Sequence, residues 1–562
     1  MLYCKSDSKI KKMRKKNKTE AFAMAKTENR RVEDSFVTTC SSIISGTITF
    51  FLFMLVTVFP LIYHRGYADI LETKYWTYCV IAIGMAVVVG VLALIMLLID
   101  KKENSGIYSG ELFSALKPRN WKKTFSLADA GVIAFWAFAG ISTLQSEWLY
   151  EAFWGNEGRY SGFFLITIYV VFYFIVSRYW KVKTWILEAS LASGMILCLI
   201  GITDYFQLDV LNFRGNMRPE QSTIFTSTIG NINTYTAYVA IVMGVAAGGF
   251  AAAKGRLQTI WYYVCMTVAF FAIIMGCSDN AYLALGAMFA FLPFVMFSTK
   301  KGILRYGIMA ATFATVIQCI DWMNQAFADM VIGLDSLFGI LAGFSGLLVA
   351  VCGLWVIVAA VYIWCRRGTE QEERICGYLV KAWGIMTAAA VLAVIGMVFD
   401  ANFNGNGARY GALEKYLVFS DSWGTDRGYI WRKSIEVYQD FPILHKLFGY
   451  GPDTFGILAT RGFMGDMLEK TGLVFDTAHN EYIQYLLTIG PIALLGYLVF
   501  LVGSCRTMVK AYRKNPYILA CMTGVLCYGV QAIVNLNLPI VTPMLWFWLS
   551  VGIGLVRRNR EC

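Results

Sequence analysis

The sequence predicts an all-α polytopic membrane protein of about 12–14 transmembrane helices with one long extracytoplasmic loop, and three observations predict it. The first is composition: of 562 residues, 57% are hydrophobic and 15% charged, with a mean hydropathy of +0.55. Soluble domains run at roughly 45–50% apolar and about 25% charged, so this chain is built for a bilayer. The second is that apolar runs of about 20 residues recur from the forties to the end, each long enough to cross roughly 30 Å of hydrocarbon as a helix. The third is the alternation of Lys and Arg between successive loops.

In chain order the runs are 41–63, 76–99, 128–146, 160–177, 184–204, 231–253, 258–276, 280–297, 303–320, 336–364, 379–399, 479–502, 517–535 and 538–556. The thinnest are 280–297 and 336–364, the latter long enough to be tilted or kinked. The first 18 residues carry eight basic residues against Asp7 alone, which places the start in the cytoplasm. Every second loop agrees, from Lys101, Lys102 and Lys117 through Arg178 and Lys181, Lys300 and Lys301, and Arg366 and Arg367 to Arg506 and Lys510. The expected organisation is a basic cytoplasmic segment (1–40), helices 1–11 (41–399), an extracytoplasmic loop (400–478), helices 12–14 (479–556) and a cytoplasmic tail (557–562). Both termini are then cytoplasmic, and the net charge of +12 reports topology, with the amino-terminal cluster touching anionic lipid, and not nucleic-acid binding.

Fourteen cysteines show no metal-ligand spacing and fall mostly inside apolar runs, where they read as small packing residues. No D-x-D occurs, and neither metal nor cofactor is expected. There is no fixed-period repeat.

The loop 400–478 is too long to be a mere connection. Trp423, Tyr429, Trp431, Phe441, Phe448, Phe455 and Phe463 supply apolar anchors, and its ten acidic and eight basic residues are mixed, so it reads as ordered. Within it, Ile430, Ser434, Val437 and Tyr438 fall at helical spacing behind Asp426, a capping residue type, and Pro442 ends that helix. The turn "GYGPDTF" at 449–455 adds glycine flexibility and backbone NH groups beside a fixed Pro452.

The loop is followed by "DTAHNEYIQYLLTIGPIALLGYL" (476–498), which puts one of only three histidines at the mouth of an apolar run. With Asp476 or Thr477 as cap, His479 opens a helix whose positive end keeps the imidazole neutral. The bland alternative is a capping or interface histidine. Ionisable groups at membrane depth are nevertheless functional candidates. Arg159, Arg214, Arg218, Arg427 and Arg461 lie on outward loops; each taken alone reads first as a snorkelling side chain or a loop ion pair, but together they suit the oxygens of a lipid diphosphate. Arg427, beside Tyr429 and Trp431, is the first choice and Arg159 the second.

These residues resemble the signature region of the bacterial O-antigen ligase and O-antigen polymerase family. "PILHKLFGYGPDTF" followed by "AHNEY" matches its P-x-x-G-x-G-x-x-x-F and A-H-N-x-Y elements, "DRGYIW" its R-x-x-x-W element, and "IGNINTYTAYVA" its G-N-x-N segment. The resemblance implies a glycosyltransferase-C-like architecture and metal-independent transfer of a glycan from undecaprenyl diphosphate to an acceptor hydroxyl at the outer face of the cell membrane. His479 and Arg427 match the family's loop histidine and arginine, with Glu481 or Asp476 orienting the histidine. Arg159, Arg214, Arg218, Asn231, Asn233, Gly449, Gly451, Asp453, Asn480 and Tyr482 are the substrate-binding candidates. The implied partners are the lipid-linked donor, a glycan or lipid acceptor, membrane lipid and other envelope polysaccharide-assembly proteins. One departure stands out: where many members carry Ser-Arg-Gly/Ala, this chain reads "GCSDNAYLALG", with Asp279 and Asn280 and no arginine. The alternative function is a flippase for lipid-linked oligosaccharides, which calls for charges at mid-membrane and two related halves; here the polar residues gather in one loop.

Overall fold

In hydrocarbon a backbone must satisfy its own hydrogen bonds, and the apolar runs accordingly form helices. The computed structural model describes residues 36–561 except 104, 105, 107, 108, 111–116, 216, 335, 336 and 367–371. The basic cluster between Lys5 and Lys18, and its expected cytoplasmic placement, lie outside the described residues. Helices α1 (Phe36–Leu61), α2 (Ile70–Glu103), α3 (Leu127–Leu144), α4 (Leu149–Trp154), α5 (Phe163–Tyr179), α6 (Thr184–Tyr205) and α7 (Ile232–Ala252) come first. Then follow α8 (Arg256–Met275), α9 (Asn280–Met296), α10 (Lys300–Ala326), α11 (Leu347–Arg366) and α12 (Glu372–Phe403). A two-strand ribbon, β1 (Phe225–Thr226) and β2 (Gly230–Asn231), precedes α7.

The long loop carries α13 (Trp423–Gln439), α14 (Ile443–Phe448) and α15 (Phe455–Thr471), and the chain closes with α16 (Glu481–Thr488), α17 (Gly490–Val509), α18 (Pro516–Gln531) and α19 (Thr542–Glu561). Among the described residues eleven helices are long and apolar enough to cross a membrane, and α5 and α9 are shorter apolar helices. The protein is an all-α polytopic membrane protein.

Two of the expected runs are each broken in two. The 336–364 run divides into Leu337–Ala342 and α11 around Gly343 and Gly346. The 479–502 run divides at Gly490, whose φ of +76° is left-handed and whose Cβ position is occupied by the Leu447 carbonyl. Pro491 then starts α17, where its missing NH costs nothing. The spanning helix is α17, and α16 is a separate eight-residue helix at its mouth.

Close approach between helices is made by small residues. A Cβ on Gly131 of α3 would lie 2.6 Å from the Phe500 nitrogen of α17, and one on Gly496 of α17 would lie 2.6 Å from the Phe135 nitrogen of α3. These two backbones touch, which fixes the far end of α3 against α16 and α17. At the near end of α3, Ser126 and Asp129 form a capping box, and the buried Asp129 carboxylate also accepts from Tyr173 Oη at 2.9 Å and Arg557 at 2.6 Å. That one carboxylate joins α3, α5 and α19.

The loop helices have a core of their own. Tyr429, Ile430, Phe441, Phe455, Phe463 and Met467 bury one another together with Phe475, Ala478 and Leu487. Helix α13 buries Ile430 and Ser434 as the spacing predicts, but its start differs. Gly424, Thr425 and Asp426 are all left-handed, with φ of 61°, 60° and 63°, and no side-chain cap is made. Asp426 is therefore part of a tight turn and not the cap.

Candidate active site

The end of α3 is the platform. Its last turn and the residues after it are polar: Ser142 Oγ donates to the Thr488 carbonyl at 2.8 Å, Gln145 Nε2 to Gly449 O at 2.9 Å and Ser146 Oγ to Tyr450 O at 2.5 Å. The Gly451 NH closes the turn on Thr488 O at 2.7 Å. Gly451 has a φ of +114°, and a Cβ there would lie 2.6 Å from that of Ala152, so the turn needs glycine on both counts. Gly449 and Gly451 are thus packed between α3 and α16, and neither lines the cavity described next.

From this turn Asp453 reaches the 155–162 loop, its Oδ2 accepting the backbone NH groups of Asn156 at 2.7 Å and Ser161 at 3.0 Å. The same loop presents Arg159, which forks onto Asp476 through Nε to Oδ2 at 2.9 Å and Nη2 to Oδ1 at 2.5 Å. Burial would raise the Asp476 carboxyl, but the Arg159 fork and charge outweigh it and hold it below the usual range. Three residues on, His479 faces a cavity lined also by Arg159, Ser161, Asp453, Gln484 and Asn537.

His479 has a φ of +47°, a conformation costly for any residue with a Cβ. Asn480, not Asp476 or Thr477, caps α16: its Oδ1 accepts from the NH groups of Tyr482 and Ile483, both at 3.0 Å. His479 therefore stands just outside the helix. Its ring meets Phe475 edge-on at 5.7 Å, and among the described residues its nitrogens have no hydrogen-bond partner. Burial, then the charges of Arg427 and Arg159, push its pKa down to about 3 against the pull of Asp476. The imidazole is neutral, as expected, and the causes are burial first and then the two arginines.

Arg427 arrives from the other side. The left-handed turn 424–426 delivers it buried, at 8% exposure, and among the described residues it has no hydrogen bond or ion pair. Burial lowers its pKa, and the Asp279 carboxylate opposes that. One turn along α13, Trp431 Nε1 donates to the Ala478 carbonyl at 2.9 Å. Arg427 and Trp431 share a helix face at i, i+4, so the indole that grips the residue before His479 also sets the arginine beside it.

The remaining candidates are engaged by other partners. Glu481, at 1% exposure, lines the same cavity, but its carboxylate accepts from Tyr497 Oη at 2.6 Å, Asn537 Nδ2 at 3.1 Å and Tyr528 Oη at 3.2 Å. Among the described residues no bond joins it to His479, so it anchors the mouth of the helix and does not orient the imidazole. Tyr482 donates to Gly529 O at 2.5 Å. Asn231 caps α7, and Asn233 accepts from Ser278 Oγ at 2.6 Å while its carbonyl takes Asn280 and Asn535, both at 2.8 Å. Arg214 donates to the carbonyls of Asp204 at 3.0 Å and Phe225 at 2.6 Å, Arg218 is exposed, and Arg461 lies over the Trp148 ring at 4.9 Å. Ser142, Gln145, Ser161 and Asn537 were not singled out from the sequence, and the polar cluster "STLQS" (142–146) ending an apolar run was the visible sign of the first two. No group of three or more His, Cys, Asp or Glu among the described residues is placed to hold a metal ion.

Residues 330–498 match the model of the family described as O-antigen ligase. The match covers less than a third of the chain and supports its likeness to the O-antigen ligase family over that stretch. No curated protein sequence matches it. The matched stretch contains Arg427, Asp453, Asp476, His479, Asn480 and Glu481, whereas Arg159, Arg214, Arg218, Asn231 and Asn233 lie outside it. Eleven membrane-length helices among the described residues, together with this match, support a multi-pass membrane protein, and the family matched is one of glycan-ligating enzymes.

Proposed function

We propose that this protein transfers a glycan from an undecaprenyl-diphosphate-linked donor to an acceptor hydroxyl, without a metal ion, at the outer face of the cytoplasmic membrane, with both termini in the cytoplasm. The observation that carries the reading is the convergence of a buried Arg427, without a hydrogen bond or ion pair among the described residues, and a forked Arg159 on a neutral His479 that lines a cavity. Diphosphate leaves well once its charge is met, and guanidinium groups meet it with a fixed fork. A buried arginine without a partner is costly, and an arriving phosphate removes that cost. Arg159 is poised by Asp476, a carboxylate that stands where a phosphate oxygen would compete for it. Neutral His479 accepts a hydrogen bond from the attacking hydroxyl and aims it at the anomeric carbon.

The test is transfer by purified protein in lipid, with defined lipid-diphosphate-linked glycans and a panel of acceptors that separates polymerase from ligase. His479→Ala and Arg427→Ala, each folded and inserted, are expected to lose roughly 100-fold or more in rate; full activity in both sinks the assignment. For the membrane face, Gly465→Cys, at an open position on α15, is expected to react with an impermeant thiol reagent in intact cells. Protection in intact cells with reaction in inverted vesicles would reverse the topology.

A further inference from the structure

Asp453 has one oxygen occupied and one open. Both backbone NH groups it receives, from Asn156 and Ser161, end on Oδ2. Among the described residues Oδ1 has no hydrogen-bond partner, although the residue is only 8% exposed and lines the cavity with His479 and Arg159. Its position is fixed from both sides, by the backbone bonds to the 155–162 loop and by the glycine turn locked between α3 and α16. A carboxylate oxygen without a donor among the described residues, on a buried residue that lines a cavity, is available to a proton or to a substrate donor.

We infer that Asp453 is the proton acceptor of the transfer, its Oδ1 taking the proton of the acceptor hydroxyl while His479 supplies only an aiming hydrogen bond. This rests on the glycan-transfer reading above. In the step, the hydroxyl oxygen forms a bond to the anomeric carbon and the bond from that carbon to the phosphate oxygen breaks. The electron pair departs on the lipid diphosphate, held by the arginines, and the hydroxyl proton passes to Asp453 Oδ1. It leaves to water when the product departs, restoring the carboxylate.

The relative basicities favour this division. Burial raises the Asp453 carboxyl to about 7 in spite of the two NH bonds and the Arg159 charge, with Asp476 adding to the rise. A base serves best when its pKa lies near the working pH, and His479, at about 3, is a far weaker proton acceptor. The charged and titratable groups facing Asp453 are Arg159 on the 155–162 loop, Asp476 and His479 on the segment before α16, and Glu481 and Tyr485 on α16.

The experiment is the pH dependence of kcat for wild type, Asp453→Asn, Asp453→Glu and His479→Gln in lipid, with melting temperature and lipid-diphosphate binding measured on each. Asparagine keeps an oxygen for the two NH groups and removes the base, so the clamp and the chemistry separate. Wild type is expected to gain about tenfold per pH unit up to a plateau near 7. Asp453→Asn should bind donor normally, lose roughly 100-fold or more in kcat and lose the acidic limb; Asp453→Glu should keep a limb at a shifted pH, and His479→Gln should be slower with the limb in place. An intact limb in Asp453→Asn, or a limb that vanishes only in His479→Gln, overturns the inference. Should Asp453→Asn fail to fold, an Asp453→Glu limb unmoved from wild type overturns it equally. A wild-type protein that binds lipid diphosphate yet transfers from no donor fails the transfer reading itself, and the base with it.

Discussion

Arg214 and Arg427 are both loop arginines shielded from solvent, and they do opposite things. Arg214, between α6 and β1, gives Nη1 and Nη2 to the carbonyls of Asp204 and Phe225, and Asp209 accepts its backbone NH at 3.0 Å. It ties a loop shut. Arg427, in the matched stretch, is buried with no such bond among the described residues, and its charge acts on Asp279 and His479. A cation whose two terminal nitrogens are engaged, as in Arg214, where only the buried Nε lacks a partner, is a fastener, whereas one with no donor engaged among the described residues carries a cost that a ligand removes. The difference lies in tertiary partners, so neighbouring residues in sequence do not reveal it.

The largest expected effect breaks that pair apart. Arg427→Ala should cost roughly 100-fold or more in transfer rate and leave the melting temperature unchanged or higher, because an unpaired buried cation is gone. Arg214→Ala should do the reverse. It should lower the melting temperature, as two carbonyls lose their donor at about 1–3 kcal/mol each, while the rate per folded molecule holds. Equal loss of rate in both variants would erase the distinction.

Asp476→Asn comes next and probes the other guanidinium. Removing the charge weakens the fork on Arg159, and a drop of about tenfold in rate with reduced donor affinity is expected, since the arginine is no longer presented. The pH sign follows from the depressed carboxyl. The pair's contribution is present above the ordinary Asp range and is lost as pH falls through the lowered value. The wild type should accordingly hold its loop at acidities where the variant has already loosened, read by tryptophan fluorescence; coincident curves would leave the pair without a stabilising role.

Much of the fold was legible because the signal is local. An apolar run long enough to span hydrocarbon declares itself residue by residue, and a matching helix lies in each of the fourteen. The breaks were less legible, although Gly490-Pro491 stood in plain view, because a glycine-proline pair bends a helix or ends it depending on what packs there, and here the Leu447 carbonyl decides. His479 and Arg427 were legible as motif residues. Their environment was not: "DTAHN" offers three capping side chains, and only the structure selects Asn480. Glu481 looked like a partner for its neighbour in sequence, yet a helix start turns successive residues to different faces, and three donors on α17, α18 and the segment before α19 hold it there. Arg159 and Arg218 read alike in sequence, and only Arg159 lines the cavity.

Trp431 tests whether Arg427 needs its neighbour. Trp431→Phe keeps an aromatic against Trp423 and the loop core but removes the donor to the Ala478 carbonyl, a bond worth about 1 kcal/mol. If that bond sets His479 beside Arg427, the rate should fall about tenfold with donor binding nearly intact, since small misplacements of a reacting group are expensive. A melting-temperature shift with no change in rate would make Trp431 a packing residue alone.

The smallest effect belongs to Asp466, a partly exposed carboxylate beside α13, where the logic of Arg214 returns in weaker form. Tyr429 Oη donates to Asp466 at 2.7 Å, and Lys433 and Lys470 approach the same carboxylate at 3.2 and 3.4 Å. The tyrosine bond is the first cause holding the Asp466 carboxyl down to about 2, with the lysine contacts adding to it. Tyr429→Phe removes that bond and leaves two cations in place, at a carboxylate that water also reaches. The rate should not change, and the melting temperature should fall by no more than about 2 °C. Because the contribution of a depressed carboxylate is lost as pH falls through its folded value, the variant's loop should loosen at a higher pH than the wild type's. A loss of transfer in Tyr429→Phe would mean that the fastened face of α13 and its Arg427 face are coupled, and the contrast between fastener and site would then fail within a single helix.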